Sequence, residues 1–442
     1  MKLSSLLGHA SELFQLIRAS GKPADSLIDS FFRSHKYLGS HDRRFISETV
    51  YGTLRHLRRC DTVLRRVMSS RPYAVSPEEG YMLLLAAYLL LVEKQTHVTR
   101  GDLLPHMRSS RLKDELADVL NETVTEEESA ENDPEEGIGV RHSFPDWIVK
   151  RLLQEYGEGE TEKLCASLNT QAPLILRVNT LKTTIEECRR QLHAEGVETR
   201  RTRLSPVGLE VPKRINIFRL RAFQQGMFEV QDEGSQLVST LIDPKPTAKL
   251  MDVCAGAGGK TLHFAALMAN RGEIVAADVS TYRLDQLRKR ARRAGVSNVR
   301  ARAVKDLSDL NDLFAGYFDI VFVDAPCTGL GTIRRNPGLK WTVTEESVHE
   351  LSVKQRSILE ASAPLVKPGG ALVYATCTLL REENEDVVDA FLSNHVEFIL
   401  VNPGFRLSQL GIHREESVRY VKLLPHREGT DGFFCALLQK SR

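Results

Sequence analysis

The sequence predicts an α/β fold: a doubly wound, mostly parallel sheet over residues 246–442, preceded by a small α/β subdomain over 141–245 and an all-α domain over 1–120. Three observations carry this prediction. Beyond residue 245, apolar runs of strand length recur at 249–252, 273–278, 298–304, 319–323 and 371–375, each leading up to an acid or a cysteine. Such runs, separated by helical segments, are the pattern of parallel strands joined by crossover helices. Between the first of these strands and a helix starting near Thr261 lies the glycine-rich turn Cys254-Ala255-Gly256-Ala257-Gly258-Gly259-Lys260. Before residue 120 the apolar residues fall instead at three-to-four spacing, as in Leu13, Leu16, Ile17 and in Ile46, Val50, Leu54, Leu57, which is helical periodicity.

Taken in order, Met1 to Ser20 mixes charged and apolar residues without a cleavage pattern and reads as the first helix of a cytoplasmic protein. Tyr81 to Val92 is an uncharged apolar run of 12 residues, too short to span a bilayer. It follows Ser76-Pro77-Glu78-Glu79, a capping box with proline at the first helical position, so a buried core helix is expected. Arg43, Arg44, Arg55, Arg58, Arg59, Arg65 and Arg66 form either a face for RNA phosphates or an ordinary solvated helix face. Residues 121–137 hold eight acids and no Lys or Arg, the composition of a solvated linker, so a linker is placed at 121–140. The small subdomain that follows has a strand at 174–179 and a helix near 185–194.

With 442 residues and 42% hydrophobic content, the chain can support two or three domains with real cores. Lys+Arg 60 against Asp+Glu 58 leaves a net charge of +2, so any contact with nucleic acid must come from local patches. Seven cysteines without paired spacing point to a reducing compartment and free thiols; no Cys-x-x-Cys metal signature is present, and no metal is expected. No heptad or apolar stripe indicates an oligomer.

In an open α/β sheet, ligands bind beyond the carboxyl ends of the strands. There the glycine turn lets the backbone approach a ligand, and Asp278, 26 residues after Asp252, stands near the interval at which such folds place a carboxylate on ribose hydroxyls. Asp306 follows the third strand, where a carboxylate suits an adenine amino group, and Asp324 tops the fourth. No Gly-x-x-x-x-Gly-Lys-Ser/Thr phosphate loop is present, which favours a nucleoside ligand without a triphosphate. Two thiols share this end of the sheet: Cys327 in Asp324-Ala325-Pro326-Cys327-Thr328-Gly329 and Cys377 in Thr376-Cys377-Thr378. They read either as small buried hydrophobes or as nucleophiles.

From about Pro173 onward the chain resembles the RNA cytosine-5 methyltransferases. Six ordered segments carry the resemblance: Phe228 to Gln236, the glycine turn, Asp324 to Gly329, Arg334-Arg335-Asn336-Pro337, Thr376-Cys377 with Glu383-Asn384-Glu385, and Gly429 to Phe434. The resemblance implies a Rossmann-like, S-adenosylmethionine-dependent domain acting on RNA. Cys377 would attack carbon 6 of cytosine, Cys327 would aid product release, and Cys254, Ala255, Gly256, Ala257, Gly258, Gly259, Lys260, Asp278, Asp306 and Asp324 would line the S-adenosylmethionine site. Lys260 would contact the base or serve helix-start packing. Leu38 to Phe45 and Tyr51 to Arg55 are similar to the helical RNA-binding fold of an antitermination factor, and with it the resemblance implies 16S rRNA as substrate.

The chain departs from the family pattern twice. Gly256-Ala257 stands where Ala-Pro is usual, which loosens the turn without removing a donor, and Thr378 and Arg381 stand where serine and proline are usual. Trp341, in an expected loop, is the candidate for stacking on a base, whereas Phe318 and Tyr374 lie in or beside strands and read as core. The run Arg288 to Arg293 reads either as a recognition element or, more in keeping with its helix, as a solvated helix face. The competing functions are a tRNA cytosine-5 methyltransferase and a non-catalytic RNA-binding ribosome assembly factor.

Overall fold

The computed structural model describes residues 1–20, 24–71, 74–95, 97–125, 133–213, 215–414 and 418–442. The chain forms two compact units: residues 1–170 with 333–343, and residues 171–332 with 344–442.

Among the described residues the first unit is helical throughout. Helix Pro77–Leu91 begins as its sequence requires, with the Ser76 hydroxyl accepting the Glu79 N–H, and it is buried along most of its length. It meets helix Ser40–Arg55 at Gly52, where an added Cβ would lie 2.0 Å from the Tyr88 side chain; only glycine permits that approach. The stretch expected to be a linker is helical on both sides of residues 126–132, which lie outside the described residues. Helix Ser110–Thr125 runs into it, because Leu116, Val119, Leu120 and Thr123 supply a buried stripe. Helix Pro134–Arg141 closes it, capped by Asp133 with Glu135 and Glu136 in its first turn. Those acids are a helix start, where negative charge is favoured by the helix dipole. Helices Asp146–Tyr156 and Glu158–Leu168 also pack within this unit.

Residues 333–343 join the same core. Lys340 is fully buried, and its Nζ donates to the carbonyls of Arg55, His142 and Ser143 and to Asn169 Oδ1. The Trp341 indole N–H donates to the Leu54 carbonyl at 2.7 Å, and its ring packs on the Leu54 cluster. Trp341 is thus a packing residue in a short helix, Leu339–Thr342, and not a free stacking platform. Several of the candidate RNA-facing arginines also have internal partners: Arg43 on the Leu38 carbonyl, Arg44 with Glu48, Arg55 on the Arg334 carbonyl, Arg58 on the Phe144 carbonyl and Asp146, and Arg65 with Asp61.

In the second unit, β1 (Leu174–Val178), β2 (Arg200–Arg201), β3 (Gly208–Val211) and β4 (Phe228–Val230) form an antiparallel sheet in the order β2-β3-β1-β4. Helix Ile185–Ala194, capped by Thr184, has Cys188 and Leu192 buried in the core of this small layer. The larger sheet contains β5 (Lys249–Asp252), β6 (Glu273–Asp278), β7 (Val299–Ala303), β8 (Phe318–Asp324), β9 (Val366–Thr376), β10 (Phe398–Leu400), β11 (Val421–Leu423) and β12 (Phe433–Lys440), ordered β10-β12-β9-β8-β5-β6-β7 with β11 on β12. β5 to β9 pair in parallel, and β12 inserts antiparallel beside β9. The order reverses between β5 and β8, which places the crevice for a ligand at their carboxyl ends. Phe318 and Tyr374 are fully buried in the core of this unit, as read from their place in or beside the strands.

Candidate active site

The loops after β5, β6, β7 and β8 enclose a cavity of about 320 Å³ lined by Val253, Cys254, Asp278, Val304, Asp306, Asp324 and Pro326, with Lys354, Ser357 and Ile358 opposite. Its size suits a nucleoside. Of the expected cofactor residues, Cys254, Asp278, Asp306 and Asp324 line it; Ala255 to Lys260 do not, and their turn instead bonds to the lining carboxylates Asp278 and Asp324. Lys354, Ser357 and Ile358 come from helix Glu345–Ser362. Sequence reasoning left them out because nothing in that helix's local pattern ties it to the glycine turn.

The turn is held mainly by backbone groups. Gly256 and Gly258 adopt φ of 55° and 84°, the left-handed region open to glycine. At Gly258 an added Cβ would also come 2.7 Å from Leu287. The Ala255 N–H donates to the Ala277 carbonyl and the Gly256 N–H to Asp278 Oδ2, 2.8 Å away. Asp278 Oδ1 accepts the Ser280 N–H at 2.8 Å. Each oxygen of this buried carboxylate therefore keeps a second lone pair for a ligand hydroxyl. Asp306, exposed at the rim, accepts the Ser308 backbone and hydroxyl donors, which hold its carboxyl below the ordinary range.

Two arginines grip this turn from behind. Arg290 donates to the Ala257 carbonyl at 2.9 Å and Arg177 to the Gly259 carbonyl at 2.7 Å. Arg290 and Arg293 also pair with the buried Glu229 carboxylate. Part of the run 288–293 is therefore structural, contrary to its reading as a solvated face. The turn that lacks proline is braced by these carbonyl contacts.

Beneath the turn, Asp252 is buried and accepts the Thr261 hydroxyl at 2.6 Å. Burial pushes its carboxyl up to about 7 despite that hydrogen bond. Lys260, at the start of helix Gly259–Leu267, donates to Asp324 Oδ2 at 2.6 Å. Burial disfavours its charge, but the Asp324 carboxylate outweighs this and lifts the ammonium above its ordinary range. The pair leaves Asp324 Oδ1 to act elsewhere.

The two thiols meet. β8 and β9 pair in parallel up to Asp324 opposite Ala375, so the loops leaving them run side by side, and Cys327 Sγ lies 3.5 Å from Cys377 Sγ. The hydrogen bond with Cys377, and then burial, push the Cys327 thiol well up, and either sulfur can be the donor in this contact. Between these loops sits a residue that sequence reasoning did not place in the site, Glu383. Its fully buried carboxylate accepts the Thr328 N–H, the Thr328 and Thr378 hydroxyls and the Gln355 amide. The one available signal was its place in the Glu383-Asn384-Glu385 segment. Among the described residues no group of three His, Cys, Asp or Glu is placed to hold a metal, and no helix is long and apolar enough to cross a membrane.

A sheet of this order, with a nucleoside-sized cavity ringed by carboxylates at its switch point, defines a Rossmann-like S-adenosylmethionine-dependent methyltransferase. Known proteins specify it further. The profile of the 16S rRNA methyltransferase RsmB/F family matches residues 239–439, that of its ferredoxin-like domain residues 144–218, and that of the NusB family residues 10–99. The chain is 34% identical to the probable ribosomal RNA small subunit methyltransferase B of Synechocystis over 94% of this chain and 95% of that one. It is 32% identical to the Bacillus subtilis protein of the same name over the full length of both. Among solved structures, NSun6 from Pyrococcus horikoshii with SFG, an S-adenosylmethionine analogue, is 25% identical with a TM-score of 0.60, over 68% of this chain and 99% of that one. A methyltransferase homolog protein from the same organism is 30% identical with a TM-score of 0.58, over 69% and 97%. The chain belongs to the ribosomal RNA small subunit methyltransferase B family, S-adenosylmethionine-dependent methyltransferases of cytosine carbon 5.

Proposed function

We propose that this protein methylates carbon 5 of a cytosine in 16S rRNA through a covalent adduct on Cys377, with Cys327 serving release. The observation that carries the reading is the pair of thiols 3.5 Å apart beside the carboxylate-lined cavity. S-adenosylmethionine fits that cavity, with Asp278 taking the ribose hydroxyls and Asp306 an adenine amino group, and it would supply the electrophilic methyl group. The remaining work falls to the chain's own residues. The target base leaves its stack to enter the site. The Cys377 thiolate adds to carbon 6, which makes carbon 5 nucleophilic. Asp324, through the oxygen not taken by Lys260, stabilises the positive charge on the ring during addition. After methylation the carbon 5 proton leaves to a base, water or a carboxylate; its electron pair re-forms the ring double bond, and the bond from carbon 6 to sulfur breaks toward Cys377. The Cys327 S–H, donating to that sulfur, stabilises the departing thiolate.

The test is the fate of RNA on two variants. Cys377→Ala abolishes methylation and leaves no adduct, because the attacker is gone. Cys327→Ala stalls after addition and yields a protein–RNA species that survives denaturing electrophoresis. The reverse pattern would make Cys327 the nucleophile, and folded variants that bind S-adenosylmethionine but trap nothing would end the covalent reading. Bisulfite sequencing of total RNA with and without the gene identifies the cytosine, and a signal lost from tRNA with rRNA unchanged would instead make this a tRNA enzyme.

A further inference from the structure

We infer that Glu383 is the positioning residue that keeps the two cysteine loops in register for product release. This rests on the assignment of Cys377 as attacker and Cys327 as release partner. The need for such a residue follows from the sheet. Ladder pairing of β8 with β9 ends at Asp324 and Ala375, and past that point the two loops share few backbone bonds, such as Ala325 N–H to the Ala375 carbonyl and Gly331 N–H to the Cys377 carbonyl, both 2.9 Å. Cys327 and Cys377 lie within this weakly laddered stretch. Their side-chain bracing comes from the four donors that converge on the Glu383 carboxylate, together with a Thr328–Thr378 hydroxyl contact at 2.8 Å and the Asn384 amide on the Thr378 carbonyl.

The division of labour between the two oxygens is specific. Oε1 accepts the Thr328 N–H at 2.8 Å and the Gln355 amide at 3.0 Å, and Gln355 donates in turn to the Pro326 carbonyl at 2.9 Å. Oε2 accepts the Thr328 hydroxyl at 2.6 Å and the Thr378 hydroxyl at 2.8 Å. One carboxylate thus binds the residue after Cys327 and the residue after Cys377, and through Gln355 it reaches the residue before Cys327. Glu383 is itself fixed from outside the site, since its carbonyl accepts the buried Tyr374 hydroxyl at 2.6 Å. A thiol hydrogen bond weakens steeply with separation, so parting the loops costs Cys327 its hold on the Cys377 sulfur. Attack by Cys377 on an electrophilic ring does not need that donor as the departing thiolate does.

This arrangement predicts different results for two substitutions. In Glu383→Gln the amide oxygen replaces Oε1 and still accepts both N–H donors. Its NH2 replaces Oε2 and faces two hydroxyls, which rotate to accept. Glu383→Ala removes all four acceptor contacts. The experiment incubates full-length protein with S-adenosylmethionine and unmethylated 16S rRNA transcript, and measures methyl incorporation and denaturation-resistant adduct together. Cys327→Ala runs alongside, and calorimetry of S-adenosylmethionine serves as a fold control.

The expected result is that Glu383→Ala accumulates adduct at least about tenfold over the unsubstituted protein while its product falls, that Glu383→Gln restores release toward the unsubstituted level, and that S-adenosylmethionine affinity is unchanged in both. Should Glu383→Ala fail to fold, Thr378→Val removes one strut and must raise adduct in the same direction. A folded Glu383→Ala that turns over normally, or that loses product without adduct while Cys327→Ala traps RNA, overturns the inference. Absence of adduct in Cys327→Ala itself overturns the underlying assignment instead.

Discussion

The cofactor side and the cysteine side of this crevice lie on one sheet, yet they are held by different kinds of bond. On the cofactor side the partners are mostly backbone: Asp278 takes the Gly256 and Ser280 amides, and Arg290 and Arg177 hold the carbonyls of Ala257 and Gly259. On the cysteine side, side chain mostly meets side chain, with Glu383 joined to Thr328, Thr378 and Gln355 and the thiols joined to each other. Backbone groups are supplied by almost any residue, so the first arrangement tolerates Gly256-Ala257 in place of a proline-bearing turn. The second depends on particular side chains at positions far apart in sequence, and a change at one of them disturbs both loops.

The comparison is sharpest where a carboxylate meets ligand. Asp278→Ala should weaken S-adenosylmethionine binding by about 1.5 to 3 kcal/mol, the loss of hydrogen bonds to a charged acceptor, while leaving the adduct behaviour of Cys327→Ala unaltered at saturating cofactor. Calorimetry checks the first half, and an unchanged dissociation constant in a folded variant would remove Asp278 from the site. Beneath the turn, Asp252 offers a test by pH. Its folded-state pKa of about 7 lies above the ordinary 3.8. The folded state therefore binds the proton more tightly than the unfolded chain, and stability falls as pH rises from about 4 to about 7. Asp252→Asn removes the charge, so it should stabilise the protein at pH 8, on the order of 2 kcal/mol, with little gain at pH 4. Thermal unfolding at the two pH values decides it, and equal shifts at both would show that Asp252 is charged throughout.

Smaller effects separate the two sides further. Arg290→Met frees the Ala257 carbonyl and leaves Glu229 with Arg293 as its remaining arginine partner. It should weaken S-adenosylmethionine by about 1 kcal/mol without raising adduct; a rise in adduct would mean the two sides are mechanically coupled. Asp306 stands exposed at the rim, where solvent screens its interactions, and Asp306→Ala should change the dissociation constant by less than about threefold. A change as large as that of Asp278→Ala would mean that the rim closes over the ligand.

Much of this site was legible because its parts are local. The strands 249–252 and 273–278, the positive-φ glycines between them and the acids at their ends are each encoded within a few residues, by apolar runs, by the absence of a Cβ and by the stop that a charge imposes on a buried strand. The capping box at Ser76 fixed its helix start in the same way, and both cysteines were visible as polarisable side chains just past strand ends. The acids at 133–136 misled because composition does not distinguish a solvated linker from the first turn of a capped helix; the buried stripe that decided for helix at 110–125 needs a core to bury it.

What only the tertiary structure decided is which distant groups share a space. Glu383 lies 55 residues from Thr328, and Arg290 lies 61 residues from Glu229. Trp341 lies 287 residues from the Leu54 carbonyl that takes its N–H. An arginine run reads as solvated, and a tryptophan in a loop reads as free, until a fold brings a buried carboxylate or a carbonyl to them. Local sequence determined the strands, the turn and the reactive residue types, because backbone conformation responds to near neighbours. The strand order and the side-chain partners were set by packing, which pairs residues by burial and hydrogen-bond satisfaction without regard to their separation along the chain.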